Sequence, residues 1–307
     1  MELLYFLENL RAPFFDTFFS LITHLGEETI FLAVAILVFW CINKTLAYYI
    51  FMVGLTGTVA NQFLKIVCRI PRPWVKDPNF TIVESARSAA TGYSFPSGHT
   101  QSAIGLYGSL ARWYSNKWIR IPAIIICILV PLSRLYLGVH TPYDVGTSIV
   151  IALAMVFGFY PLIRKSVEKP NNMRYLLGGL LVLCLAFLAY VNFAKFPLDI
   201  DATNLNSAVE HAYKLLGAIL GLVLTYECDT RYLHFDTHAV WWAQLLKTVL
   251  GLAIVLAIKA LLKAPLYAII GPNGIADLLR YFLVVAVAGV LWPMTFKFWG
   301  KLGRKAK

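Results

Sequence analysis

Apolar runs recur along the whole chain, at roughly residues 27–42, 45–66, 98–115, 119–138, 143–163, 174–194, 211–227, 239–263 and 279–299. Several approach the ~20 residues that an α-helix needs to cross a hydrocarbon layer ~30 Å thick. The first is the shortest. The pattern points to an all-α fold, a polytopic membrane helical bundle of about nine transmembrane helices. Composition agrees: 59% of the 307 residues are hydrophobic and 14% are charged, with a mean hydropathy of +0.68. A soluble protein of this size needs more charge to cover its surface.

Charge then orients the bundle. Lys and Arg number 27 against 16 Asp and Glu, a net charge of +11. These cations are scattered singly between apolar runs, without the clustered patch and interleaved aromatics of a nucleic-acid surface, so no nucleic acid is expected as partner. When nine spans are laid out alternately, Lys44, then Arg112, Lys117 and Arg120, then Arg164, Lys165, Lys169 and Arg174, then Arg231 fall on one side. The tail with Lys301, Arg304, Lys305 and Lys307 joins them. The positive-inside rule makes this face cytoplasmic, with the N-terminus outside and the C-terminus inside. The other face holds the segment 67–97, the turn near His140, the loop 195–210 with Asp199, Asp201 and Glu210, and the loop 264–278. Lys65, Arg69, Arg72, Lys76 and Arg87 lie there against the charge bias, which marks them as candidates for ligand binding. The compact style of the chain points to a bacterial cytoplasmic membrane.

Three segments follow. Residues 1–26 mix apolar patches with Glu8, Arg11, Asp16 and His24, are interrupted by Pro13, and read as two short interfacial helices. His24 there reads as an interfacial or capping group. The N-terminus lacks a basic stretch and an Ala-x-Ala site, so no cleaved signal is expected. Residues 27–169 form a core that carries the polar clusters described below, and 170–307 add about four spans without a comparable constellation. In that last segment Gly217-x-x-x-Gly221 would let a neighbouring helix approach, most simply within the chain. Cys41, Cys68, Cys127, Cys184 and Cys228 are odd in number, have no CxxC spacing, and read as small buried apolar residues. His234, Asp236 and His238 look like a small metal cluster but fall in a predicted cytoplasmic loop and read as solvated, as do Glu227 and Asp229.

Three polar clusters interrupt the apolar sequence between Lys65 and Asp144, and all fall on the non-cytoplasmic face. The first is Lys65-Ile-Val-Cys-Arg-Ile-Pro-Arg72-Pro73. The second is Tyr93-Ser-Phe-Pro96-Ser97-Gly98-His99, and the third Ser133-Arg134-Leu-Tyr-Leu-Gly-Val-His140-Thr-Pro-Tyr-Asp144. Each alone has a plain reading: Lys65 or Arg72 as a snorkelling side chain, Pro-Ser-Gly-His as a helix-start turn, His-x-x-x-Asp as a surface pair. Together they suit an oxyanion. Pro142 fits a first helical turn and Thr141 can cap it, which lets Asp144 reach His140, fix its tautomer and leave the other nitrogen as a nucleophile. Ser97-Gly98 sets a helix N-terminus toward the same anion, and His99 can protonate a leaving group. Lys65, Arg72 and Arg134 neutralise charge. No carboxylate-rich set suggests a metal, and no cofactor is expected.

As a set, Lys-x6-Arg-Pro, Pro-Ser-Gly-His and Ser-Arg-x5-His-x3-Asp resemble the signature of the type 2 phosphatidic acid phosphatase family, and every motif position matches. The resemblance spans about 80 residues and implies a helical membrane bundle related to vanadium haloperoxidases. It implies a reaction through a phosphohistidine, with His140 as nucleophile, Asp144 as its orienting partner and His99 as leaving-group acid. Lys65, Arg72, Ser97, Gly98 and Arg134 would form the phosphate cradle. Arg87 and Lys76 could extend that cradle or contact lipid headgroups, and Tyr93 and Trp74 could line its mouth or simply anchor at the membrane interface. The expected activity is removal of a terminal phosphate from a lipid phosphate or diphosphate, with undecaprenyl diphosphate leading, then phosphatidic acid and phosphatidylglycerol phosphate. A glucose-6-phosphatase-like activity on a soluble sugar phosphate, phosphate transfer to another lipid, and lipid transport or scrambling stay open.

Overall fold

The computed structural model describes residues 1–197 and 200–302, and among these there are helices and turns but no strand. Asp199, Arg304, Lys305 and Lys307 lie outside the described residues. Helices α1 (Glu2–Asn9) and α2 (Pro13–His24) precede α3 (Glu28–Cys41) and α4 (Lys44–Cys68). Helix α5 runs over 98–113 and carries a π turn at Ile104–Gly108. The chain continues with α6 (Lys117–Tyr136), α7 (Pro142–Glu168), α8 (Pro170–Phe193), α9 (Ala202–Cys228), α10 (Trp241–Leu261), α11 (Lys263–Ile270) and α12 (Gly274–Ala286). Each apolar run is a helix. Seven helices among the described residues are long and apolar enough to cross a membrane, or eight if α2 and α3, bent by 47°, count as one span. Two expected loops are partly helical: α9 starts at Ala202, where Asp201 Oδ1 accepts from the backbone N–H of Asn204 at 2.9 Å, and α11 occupies much of 264–278.

Residues 1–32, 49–164 and 197–208 form one compact unit, which contains all three polar clusters. Helix α6 shows its membrane logic. It exposes Ile121, Ile125, Ile128 and Leu132 while burying Ser133 and Arg134, the reverse of a water-soluble helix. The N-terminal helices are tied to this unit by polar bonds. Tyr5 Oη donates to Asp77 Oδ2 at 2.8 Å, Arg11 Nη1 to Thr81 O at 3.0 Å, and Tyr136 Oη to Asp16 Oδ1 at 2.7 Å. Gly138, at φ +79°, ends α6 with a left-handed residue that brings the chain round to His140.

Residues 33–48, 165–196 and those from Val209 onward form the second unit. Here Asp229 departs from the water-facing expectation. It is buried and bound to Lys44 Nζ at 2.7 Å, because a carboxylate withdrawn from water needs a cation. Glu227 is likewise occupied, by Arg174 Nε at 2.6 Å and Arg231 Nε at 2.8 Å. Gly217 and Gly221 serve packing within the chain. A Cβ at Gly217 would sit 2.1 Å from Leu278 O, and one at Gly221 2.7 Å from Val285 Cβ, so α9 and α12 touch along the two glycines. All five cysteines are free; Cys184 is buried, but Cys68, at the open end of α4, is exposed.

Candidate active site

The first cluster is shaped by Pro73. A residue before proline is pushed out of the helical region, and Arg72 accordingly caps the one-turn helix Pro73–Lys76 in an extended conformation. Its guanidinium reaches inward to four acceptors. Nη2 donates to Thr91 O at 2.6 Å, Nε to Gly92 O at 3.1 Å, and Nη1 to Val139 O at 2.9 Å and to His140 Nε2 at 3.0 Å. Lys65, in the last turn of α4, is buried and donates to Tyr93 O. Backbone carbonyls thus hold both cations in place.

The third cluster folds as the local sequence suggests. Thr141 caps α7: its Oγ1 accepts from Asp144 N–H at 3.3 Å, while Asp144 Oδ2 accepts from Thr141 N–H at 2.7 Å, a reciprocal cap. That bond leaves Asp144 Oδ2 3.4 Å from His140 Nδ1. Ser94 Oγ donates to the same Oδ2 at 2.5 Å and also lies 3.4 Å from His140 Nδ1. Because a guanidinium only donates, Arg72 assigns the lone pair of His140 to Nε2 and the proton to Nδ1, on the Asp144 side. His140 sits between α6 and α7, fully enclosed. Burial, with Arg72, Arg134 and Lys65 around it, holds its imidazole well below the ordinary range, so the ring is neutral at pH 7.

The second cluster begins α5. Ser97 is its N-cap, with Oγ accepting from Thr100 N–H at 3.4 Å and its own N–H donating to Asp144 O at 3.2 Å. Lys65, Arg72, Gly98, His99 and His140 line one cavity of about 200 Å³, with Asn61 and Gln101 beside them. Ser97, Arg134 and Asp144 stand behind this first layer. The cavity region gathers buried donors with no protein partner: Arg134 Nε and Nη2, His99 Nε2 and Asn61 Nδ2. Buried donors of this kind are rare. A tetrahedral oxyanion, with several acceptor oxygens and negative charge, is the ligand class that satisfies them together.

The eight residues expected from the three motifs therefore lie in or beside this cavity. Three further residues join them. Ser94 bonds Asp144 as described, Asn61 lies one helical turn before Lys65 and so on the same face of α4, and Thr23 Oγ1 accepts from Arg134 Nη1 at 2.6 Å. Asn61 was detectable from its i, i+4 spacing, whereas nothing in the sequence pairs Thr23 with a residue 111 positions away. The weaker candidates fall elsewhere. Arg87 binds Glu84 at 2.7 Å and, like Arg72, stands over the Trp74 ring; Lys76 is exposed. Trp74 packs into apolar clusters and Tyr93 contributes its carbonyl. His24 pairs with Glu27, and His238 with Asp236, both on the surface.

Relatives of known name share this part of the chain. Over 132 residues it is 33% identical to the undecaprenyl-diphosphatase BcrC of Bacillus subtilis, covering 42% of this chain and 65% of that protein. It is 24% identical to sphingosine-1-phosphate phosphatase 1 of Mus musculus, over 80% of this chain and 59% of the relative. It is 28% identical to phosphatidylglycerophosphatase B of Bacillus subtilis, over 52% and 82%. The chain thus spans less than two thirds of the length of two of these relatives, the undecaprenyl-diphosphatase and the sphingosine-1-phosphate phosphatase. No solved structure matches it significantly. The family model described as PAP2 superfamily matches residues 45–168, and that described as PAP2 superfamily phosphatase, transmembrane extension, matches 213–305. With all three motifs inside the first match and α10, α11 and α12 inside the other, the chain is an integral membrane protein that belongs to the PAP2 superfamily.

Proposed function

We propose that the protein is a membrane lipid phosphatase that hydrolyses a terminal phosphate from a lipid phosphate or diphosphate through a phosphohistidine. One observation carries the reading: His140 has Asp144 Oδ2 and Ser94 Oγ each 3.4 Å from its Nδ1, and Arg72 Nη1 3.0 Å from its Nε2, at the wall of a cavity that Lys65, Arg72 and His99 also line. In the first step Nε2 attacks phosphorus, a P–N bond forms and the P–O bond to the lipid breaks. The leaving oxygen takes a proton from His99. In the second step water attacks the phosphohistidine, His99 recovers a proton from that water, and the P–N bond breaks to release phosphate. Arg72, Lys65 and Arg134 neutralise the phosphoryl oxygens, and the N–H groups at the start of α5 add to this. Asp144 keeps the imidazolium-like charge tolerable as the P–N bond forms.

A site within a membrane bundle favours a lipid substrate, because the tail stays in hydrocarbon while the headgroup enters the cavity. The relatives are named for undecaprenyl diphosphate, sphingosine 1-phosphate and phosphatidylglycerophosphate, and undecaprenyl diphosphate is the leading substrate. The residues 27–169 act as catalytic core and 170–307 as an added helical segment. The charge layout puts the site on the non-cytoplasmic face of a bacterial cytoplasmic membrane, with the C-terminus inside. The test is phosphate release by purified protein in detergent, with and without chelator. The panel is undecaprenyl diphosphate, phosphatidic acid, sphingosine 1-phosphate and glucose 6-phosphate, alongside His140→Ala. Release from a lipid, resistant to chelator and lost in the variant, is expected. Preference for glucose 6-phosphate would overturn the lipid reading, and full activity of His140→Ala would overturn the phosphohistidine.

A further inference from the structure

A second group of charged residues lies in the unit that carries the transmembrane extension. Its hub is Asp277, near the start of α12. Asp277 binds Arg280 Nη2 at 2.9 Å and accepts from Tyr267 Oη at 3.2 Å. Lys263 Nζ stands 5.5 Å from the centre of the Tyr267 ring. The next residue along α12, Tyr281, gathers three more cationic approaches: Lys214 Nζ at 5.8 Å, Lys259 Nζ at 5.8 Å and Arg280 Cζ at 5.3 Å from its ring centre. Helices α9, α10, α11 and α12 thus bring four cations to two tyrosines, Lys259 and Lys263 from the helix ends where α10 gives way to α11.

The charges there do not cancel. Glu210 binds Lys214 and Asp277 binds Arg280, while Lys259 and Lys263 make no close ion pair among the described residues, Lys263 attracting Glu210 only from a greater distance. Four cations against two carboxylates leave a surplus of two positive charges. Arg280 is 7% exposed, yet its Nε–H has no partner. A buried guanidinium with an unused donor, set among like charges on membrane helices, is unfavourable unless an anion completes it. A phosphate monoester carries close to two negative charges and three acceptor oxygens, which matches both the surplus and the open donor. Helix ends are also the depth at which lipid phosphates reside, and basic pockets between helices are suited to such headgroups.

We propose that Lys214, Lys259, Lys263 and Arg280 form a second phosphate-binding site, sharing no residue with the candidate active site, that takes the phosphate of an anionic lipid headgroup or free phosphate. The site does not depend on the catalytic reading. Full-length protein in detergent, carrying His140→Ala to prevent turnover, is titrated with radiolabelled inorganic phosphate, dioctanoyl phosphatidic acid and dioctanoyl phosphatidylcholine. The same titrations are run with Lys259→Gln/Lys263→Gln added, and with Arg280→Gln added. The lysine pair makes no ion pair, so its replacement leaves the fold intact by size-exclusion profile even if Arg280→Gln unfolds the chain. Two phosphatidic acids bound per chain, one of them weakened about tenfold or more in the lysine double variant, is expected from loss of two charged donors. If inorganic phosphate shows the same loss, phosphate itself is the ligand; if only the lipid does, the headgroup is bound together with its tail. A single site with affinity unchanged by the lysine double variant overturns the proposal. So does a second site that takes phosphatidylcholine equally well, since that marks apolar binding.

Discussion

Thr23→Val isolates the contribution of the N-terminal helices to the candidate site. Thr23 is 4% exposed and Arg134 0%, and the bond between them, Arg134 Nη1 to Thr23 Oγ1 at 2.6 Å, is the one that holds this guanidinium while its Nε and Nη2 have no protein partner. Valine keeps the shape of threonine but cannot accept. A hydrogen bond from a charged group contributes about 1.5–3 kcal/mol, and about 1.4 kcal/mol is tenfold in rate. Arg134 would stay buried and charged but free to turn from the phosphoryl oxygens. The expected result is a fall in kcat/KM of roughly ten- to a hundredfold, mostly in kcat if Arg134 grips the phosphoryl group more tightly in the transition state. Thr23→Ser retains the hydroxyl and should recover most of the loss, which a merely structural defect in α2 would not do. The assay is phosphate release in detergent on the preferred lipid, with melting temperature followed in parallel. Wild-type kcat/KM in Thr23→Val, or a Thr23→Ser variant as impaired as valine, would refute a positioning role through Arg134.

Arg72→Lys should abolish most activity, by about a hundredfold or more, because a lysine cannot bond Thr91 O, Gly92 O, Val139 O and His140 Nε2 together; steady-state kinetics of the folded variant decide it. The pH dependence follows from His140. Its lowered pKa means that the neutral, nucleophilic form persists as pH falls through 6.5, so kcat/KM, corrected for ionisation of the substrate, should show no acid limb there and fall only at lower pH. An acid limb centred at the ordinary histidine value would contradict the enclosed, cation-lined setting. Gly217→Ala tests the second unit on its own: with Leu278 O 2.1 Å from the new Cβ, overpacking should cost about 1–3 kcal/mol, read as a lower melting temperature in detergent, while the phosphate-release activity of protein that remains folded changes little.

The helical plan was legible because membrane solvent leaves a strong trace: each long apolar run became a helix, and the interruption at Pro13 and the boundary at Lys169-Pro170 fall at helix ends. So was the inventory of the candidate site. Lys65, Arg72, Ser97, Gly98, His99, Arg134, His140 and Asp144 stand at helix ends, where proline and capping residues dictate local geometry, and local geometry is what a sequence encodes most directly. Distant partners were not legible. Thr23 is an ordinary helical threonine until α2 lies against α6, and Ser94 is one serine in an irregular loop until its hydroxyl reaches Asp144. Asp229 reads as a solvated helix-end acid until Lys44 meets it. The sequence by itself thus determined the solvent, the helices and the chemical inventory of the site. The tertiary structure alone decided which hydroxyls and carbonyls aim those cations and which donors are left for a ligand. Those choices depend on contacts between residues tens to hundreds of positions apart, and no periodicity or spacing along the chain records them.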